Sequence, residues 1–106
     1  MIDADSSQFL LVVEEDTEII GTLQLTFIPG LAQAGLKRGQ IESVRVASHR
    51  RGGGAGEAML RWAIAQCRTE GCGLVQLTTD STRADAHRFY DRLGFEPSHV
   101  GYKLRL

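Results

Sequence analysis

The chain predicts a single domain over residues 1–106, of α/β (α+β) class, with one mixed central sheet and the element order β-β-β-α-β-α-β. Three observations carry this. Two β-branched apolar runs flank an acidic turn, which marks an antiparallel pair. A strand, a glycine cluster, a helix and another strand follow, and this βαβ unit requires a parallel pair. A second, shorter helix pattern then leads into an alternating C-terminal segment.

In order, Phe9 to Val13 is the first run and Glu14-Glu15-Asp16-Thr17-Glu18 the solvated turn. From Ile19 to Ile28, Leu23, Leu25 and Phe27 alternate with Thr22, Gln24 and Thr26, a strand period of two. Pro29-Gly30 stops it, and Leu31 to Gly39 reads as a loop. Ile41 to Ala47 is the third strand. After the cluster Gly52-Gly53-Gly54-Ala55-Gly56, a helix runs to about Glu70, with Met59, Leu60, Ala63, Ile64 and Cys67 on one face. Gly71 and Gly73 end it. Leu74 to Thr79 is the fourth strand. Ala86, Phe89, Tyr90 and Leu93 share a face of the second helix, which stops at Gly94. Tyr102, Leu104 and Leu106 alternate as a final strand.

With 42% hydrophobic residues, the composition excludes a disordered chain. A net charge of −1 gives no global basic field to gather nucleic acid or anionic membrane, so any anion site is local. No apolar run approaches the roughly 20 residues that span a bilayer, and Met1-Ile2-Asp3-Ala4-Asp5 is too acidic for a secretory signal. Cys67 and Cys72 have no neighbours at metal-ligand spacing. The expectation is a cytoplasmic domain without metal, carrying two reduced thiols.

Strand, His49-Arg50-Arg51, glycines and helix is an arrangement that binds phosphate. First-turn amides lack intrahelical acceptors and sit at the positive end of the helix dipole, and glycines let the backbone approach a pyrophosphate. Neither a P-loop nor the dinucleotide fingerprint fits, because no lysine follows the glycines and the third required glycine is Glu57 or Met59.

What the loop does resemble, through Arg51-Gly52-Gly53-Gly54-Ala55-Gly56, is the Arg/Gln-x-x-Gly-x-Gly/Ala loop of the GCN5-related N-acetyltransferases. Asp85 to Phe95, with Ala86, Phe89-Tyr90 and Leu93-Gly94-Phe95, resembles that family's Ala-x-x-Phe-Tyr-x-x-Leu-Gly-Phe motif. The resemblance implies an acyl-CoA N-acyltransferase fold and an acetyl group moved from acetyl-CoA, a co-substrate, to a small amine or a protein amino group within a ternary complex. It implies that Arg51, Gly52, Gly53, Gly54, Ala55 and Gly56 wrap the pyrophosphate. Val44, Arg45 and Val46 would pair by backbone with the pantetheine arm, and Tyr90 would protonate the departing thiolate. The spacing of Tyr90 fits a core aromatic equally well, and the two roles are compatible. Glu42 is the candidate base: on an extended strand it shares a face with Val44 and Val46, where apolar neighbours favour its neutral form. An ordinary solvated glutamate is the competing reading, and His87 and His49 are reserve bases.

Two departures from the family pattern stand out. Arg83 occupies the position of an asparagine that contacts the pantetheine arm; a guanidinium cannot accept a hydrogen bond, but it can reach a CoA phosphate. The usual N-terminal strand and two helices, one wall of the acceptor site, have no counterpart before Phe9. The edge thus left open is a place for a second copy to pair, as a homodimer. A CoA-binding module without catalysis is the alternative to an enzyme. A nucleic-acid-binding domain disagrees with the pI of about 6.3 and the few aromatics.

Overall fold

The computed structural model describes residues 8–30, 37–80 and 82–106. Four strands, β1 (Gln8–Glu15), β2 (Glu18–Ile28), β3 (Arg38–Val46) and β4 (Leu74–Leu77), form one sheet in the order β1-β2-β3-β4. Among the described residues, two α-helices, α1 (Ala55–Thr69) and α2 (Ala84–Arg92), accompany the sheet. The first two pairings are antiparallel and β3–β4 is parallel, which is the mixed sheet the βαβ pattern predicts.

The hairpin turns on two residues, Asp16 and Thr17, both at positive φ (52° and 64°). That geometry matches the right-handed twist of the flanking strands. Two bulges then adjust which side chains face inward. Val13 pairs with Gly21 but Glu14 with Ile19, so Ile20 is an extra residue on β2. Thr22 pairs with Arg45 and Gln24 with Glu42, so Leu23 faces two residues of β3, and one of them, Ser43, has φ 55°.

One face of the sheet is dry. Leu23, Leu25, Phe27 and Ile41 meet Met59, Leu60, Ala63 and Cys67, four residues on one stripe of α1. Burying each large apolar side chain contributes about 1.5–3 kcal/mol, which makes this contact the main source of the domain's stability. The helix lies close because β3 carries Gly39 beneath Cys67: a Cβ there would overlap the Cys67 sulfur. The opposite face carries Thr22, Gln24, Thr26, Gln40, Glu42 and Gln76, and among the described residues no helix covers it.

The final strand predicted at Tyr102–Leu106 does not form. Residues 95–106 have no regular structure, and Tyr102 and Leu104 are 95% and 87% exposed. Alternation gives a segment the capacity to pair, but a strand also needs a ladder; β4, the neighbouring edge, is four residues long and pairs only with β3. The third strand begins at Arg38, earlier than the sequence boundary at Ile41, because it extends the pairing with Phe27 and Ile28. Most of the loop predicted over Leu31 to Gly39 lies outside the described residues.

Candidate active site

The parallel pair is short and then parts. β3 and β4 are in register from Arg38↔Leu74 to Ile41↔Leu77 and no further, while β3 continues to Val46 supported only by β2. Beyond Ile41, the side of β3 facing β4 offers backbone groups that no strand among the described residues pairs. An extended ligand can form that ladder. The bulge at Ser43 lies within this stretch and turns Val44 and Val46 toward the core, against which both pack.

The open end of this cleft leads to the start of α1. Gly54, at the N-cap, has φ 90° and Gly52 has φ 83°, left-handed conformations in which glycine carries no Cβ penalty. No side chain among the described residues caps α1. The amides of Ala55, Gly56 and Glu57 therefore have neither an intrahelical acceptor nor a capping oxygen, and the loop before them is exposed. Unpaired donors at the positive end of a helix dipole suit an anion such as a phosphate group. The two basic residues ahead of it are already engaged. Arg50 pairs with Glu15, which raises its pKa through the hydrogen bond and the charge, and His49 lies 3.0 Å from Glu18. These contacts strap the turn at Ser48–Arg50 onto the hairpin. Arg51 alone of the three is left without a carboxylate partner among the described residues.

α2 closes the site from the other side. The position a Cβ would take on Gly56 lies 3.6 Å from the Phe89 ring and 3.7 Å from Val46, so three elements meet at the first turn of α1. Tyr90, the next residue, is half-buried. Its ring packs edge-on against Phe89 (5.2 Å between centroids) and Phe95 (5.8 Å). Burial raises the pKa of its phenol, opposed by the positive charge of Arg83. Arg83 is the N-cap residue of α2 and lies 3.4 Å from the carboxylate of Asp85. The His87 ring sits 3.0 Å from the Asp80 carbonyl; a carbonyl only accepts, so Nε2 carries the proton and Nδ1 is the basic nitrogen.

The structure corrects the environment of Glu42. Because of the extra residue at Ser43, Glu42 does not share a face with Val44 and Val46; it pairs with Gln24 on the polar face and is exposed. Alternation counted along an unbroken strand gave the opposite face, and one bulge inverts every side chain beyond it. No pattern in the sequence marked that bulge, since serine is not a left-handed residue by preference. The ties from Arg50 to Glu15 and from His49 to Glu18 also escaped the sequence reading, although an acidic hairpin turn and a basic strand exit were both visible in it.

Among the described residues, no group of three His, Cys, Asp or Glu side chains could hold a metal, and no helix is long and apolar enough to cross a membrane. The α+β fold superposes on that of acetyltransferase structures, with a TM-score of 0.89 at 29% identity for a protein from Agrobacterium tumefaciens over 97% of this chain and 72% of that one. The chain belongs to the GNAT acetyltransferase family: the family model described as "Acetyltransferase (GNAT) family" matches residues 1–95. It is 41% identical over 68 residues to an aminoalkylphosphonate N-acetyltransferase of Salmonella typhimurium, covering 64% of this chain and 44% of that protein. It is 36% identical over 75 residues to a mycothiol acetyltransferase of Corynebacterium jeikeium, covering 69% of this chain and 22% of that one. The chain thus spans less than half the length of either relative. The crystal structure of a transcriptional regulator from Bacillus halodurans superposes with a TM-score of 0.94 at 46% identity, over 97% of this chain and 69% of that one.

Proposed function

We propose that this chain is an acetyl-CoA-dependent N-acetyltransferase acting on a small amine or a protein amino group. The observation that carries the reading is the adjacency of the unpaired lip of β3 to the uncapped, glycine-led start of α1. An extended pantetheine arm needs the first and a pyrophosphate the second. Acetyl-CoA supplies an acetyl group already activated as a thioester, so the protein contributes position, charge stabilisation and proton transfer.

The amides of Gly52, Gly53, Gly54, Ala55 and Gly56, with the Arg51 guanidinium, hold the pyrophosphate. Backbone groups of Val44, Arg45 and Val46 fix the pantetheine arm, and an amide near Val44 donates to the thioester carbonyl as charge develops there. Tyr90 gives its phenolic proton to the departing thiolate. Its raised pKa keeps that proton in place at neutral pH. Glu42, on the polar face, takes the proton of the attacking amine through water. Arg83 reaches a phosphate of CoA when it leaves Asp85.

A second reading, a CoA-binding module without turnover, is favoured by one observation: no helix covers the polar face bearing Glu42 among the described residues. Thermal melting with and without acetyl-CoA, combined with a thiol-release assay, separates the two. At about 100 times its Kd, a ligand adds about 2.7 kcal/mol, a Tm rise of several degrees. A rise with CoA release on adding amines supports the enzyme. A rise without release supports the module, and no rise overturns both.

A further inference from the structure

Cys67 and Cys72 are five residues apart across the end of α1, and the backbone there holds them together. Gly71 adopts φ 78°, its N–H bonds the Arg68 carbonyl (3.1 Å), and the Cys72 N–H bonds the Cys67 carbonyl (2.9 Å). This is the Schellman stop, in which the residue after the glycine folds back onto the helix residue five positions earlier. That contact normally joins two hydrocarbon side chains; here the two residues it brings together are both cysteines with free thiols. The pair sits where the sheet closes, because the next residue, Gly73, donates to the Lys37 carbonyl (2.8 Å) and Leu74 opens the β3–β4 ladder.

We infer that Cys67 and Cys72 form a reversible intramolecular disulfide on exposure to a peroxide, closed within the native fold. Cys72 is half-buried and meets the oxidant first. Its thiolate attacks one peroxide oxygen, the O–O bond breaks, and hydroxide leaves to become water, giving Cys72 sulfenic acid. The Cys67 sulfur then attacks the Cys72 sulfur. The S–O bond breaks, and the departing hydroxide takes the Cys67 proton, so two thiols and one peroxide yield one disulfide and two waters. Burial and the neighbouring thiol push Cys67 up to about 12, so it ionises only as that proton is withdrawn and acts as the resolving partner. The sulfur of Cys67 rests over Gly39, and the bridge draws it toward Cys72 without displacing any side chain at that position of β3. The closed bond ties the end of α1 to the start of β4, at the end of the β3–β4 ladder away from the cleft.

The test treats the folded protein with limiting hydrogen peroxide, then measures thiol titre, intact mass and Tm. The expected result is loss of both thiols and of two hydrogens in mass at any protein concentration, restored by dithiothreitol, with Tm raised by several degrees. Cys72→Ser abolishes both the mass loss and the Tm rise. A titre that stays at two thiols overturns the inference. So does Cys72 sulfinic acid beside an intact Cys67 thiol, or a bridged protein that melts below the reduced one. None of these readouts involves acetyl-CoA, so the result stands apart from the acyl-transfer reading.

Discussion

At the end of α1, Gly71 and Cys72 donate to Arg68 and Cys67; at the end of α2, Gly94 and Phe95 donate to Asp91 and Tyr90 (3.0 and 3.1 Å). Gly94 has φ 96°, as left-handed as Gly71 at 78°. The two stops are the same backbone motif, but the residues they bring together differ: two cysteines in α1, Tyr90 and Phe95 with edge-on rings in α2. The surroundings differ too. α1 has fifteen residues, four of them buried against the sheet, whereas α2 has nine and none fully buried. The motif sets the contact, and the packing of its helix decides how far it is sealed: in α1 the Cys67 side is shut into the core and Cys72 stays half-buried, whereas Tyr90 and Phe95 are both half-exposed. The sealed side anchors α1 to the sheet through Cys67. The half-exposed pair leaves the Tyr90 phenol partly accessible, as the proton transfer proposed for it requires.

The largest effect comes from breaking the open pair chemically and leaving its packing intact. Tyr90→Phe keeps the ring against Phe89 and Phe95 and removes only the O–H. Losing a general acid lowers turnover by about 10²-fold or more, while the Tm rise with acetyl-CoA stays within a degree or so of wild type. Steady-state CoA release, read with the melting curve, checks both. Equal turnover in the two proteins would return Tyr90 to a purely packing role.

The next effect belongs to the sealed side. Gly39→Ala places a methyl group into the Cys67 sulfur, and overpacking of this kind costs about 1–3 kcal/mol. Denaturant unfolding gives the value, and Cys67→Ala in the same chain recovers a large part of it because the clash is with that one sulfur. Full cost in the double variant would mean that the backbone of β3, not the thiol, resists the methyl group.

How much of this was legible beforehand depends on range. Both helix stops could be read, since a glycine after the last apolar position is a local signal, and so could the hairpin and the glycine-led start of α1. The face on which Glu42 lies could not, because it depends on where β2 and β3 slip by one residue at Ser43. The failure of Tyr102–Leu106 to become a strand has the same origin: pairing is decided by a neighbour, not by the segment's own alternation. The cleft is half legible. Its glycines are in the sequence, but the parting of β3 from β4 after Ile41 is a fact of pairing.

Smaller again is the cost of the stops themselves. Gly71→Ala and Gly94→Ala each force alanine into a left-handed conformation at about 1 kcal/mol. No heavy atom lies within 4 Å of the added methyl group at either site, so conformation is the whole penalty. The two variants therefore melt at similar temperatures, about 4–8 °C below wild type. Only Gly94→Ala also slows turnover, because it loosens the turn that holds Tyr90 against Phe95.

The smallest effect lies in the pH dependence of the open pair. Burial raises the Tyr90 pKa above the value of about 10 it has in the unfolded chain, and the charge of Arg83 works against that rise. Between the two values the folded state binds more protons than the unfolded state, so stability falls as pH climbs past about 10 and is unaffected below it. In a Tyr102→Phe background, which removes the other tyrosine, phenolate absorbance should therefore rise later in folded than in denatured protein. The extra alkaline loss of Tm should vanish in Tyr90→Phe. Arg83→Ala removes the opposing charge and shifts the folded titration later still. If that variant instead titrates earlier, Arg83 is not acting on the phenol through its charge, and the electrostatic link between the N-cap of α2 and its last turn is broken.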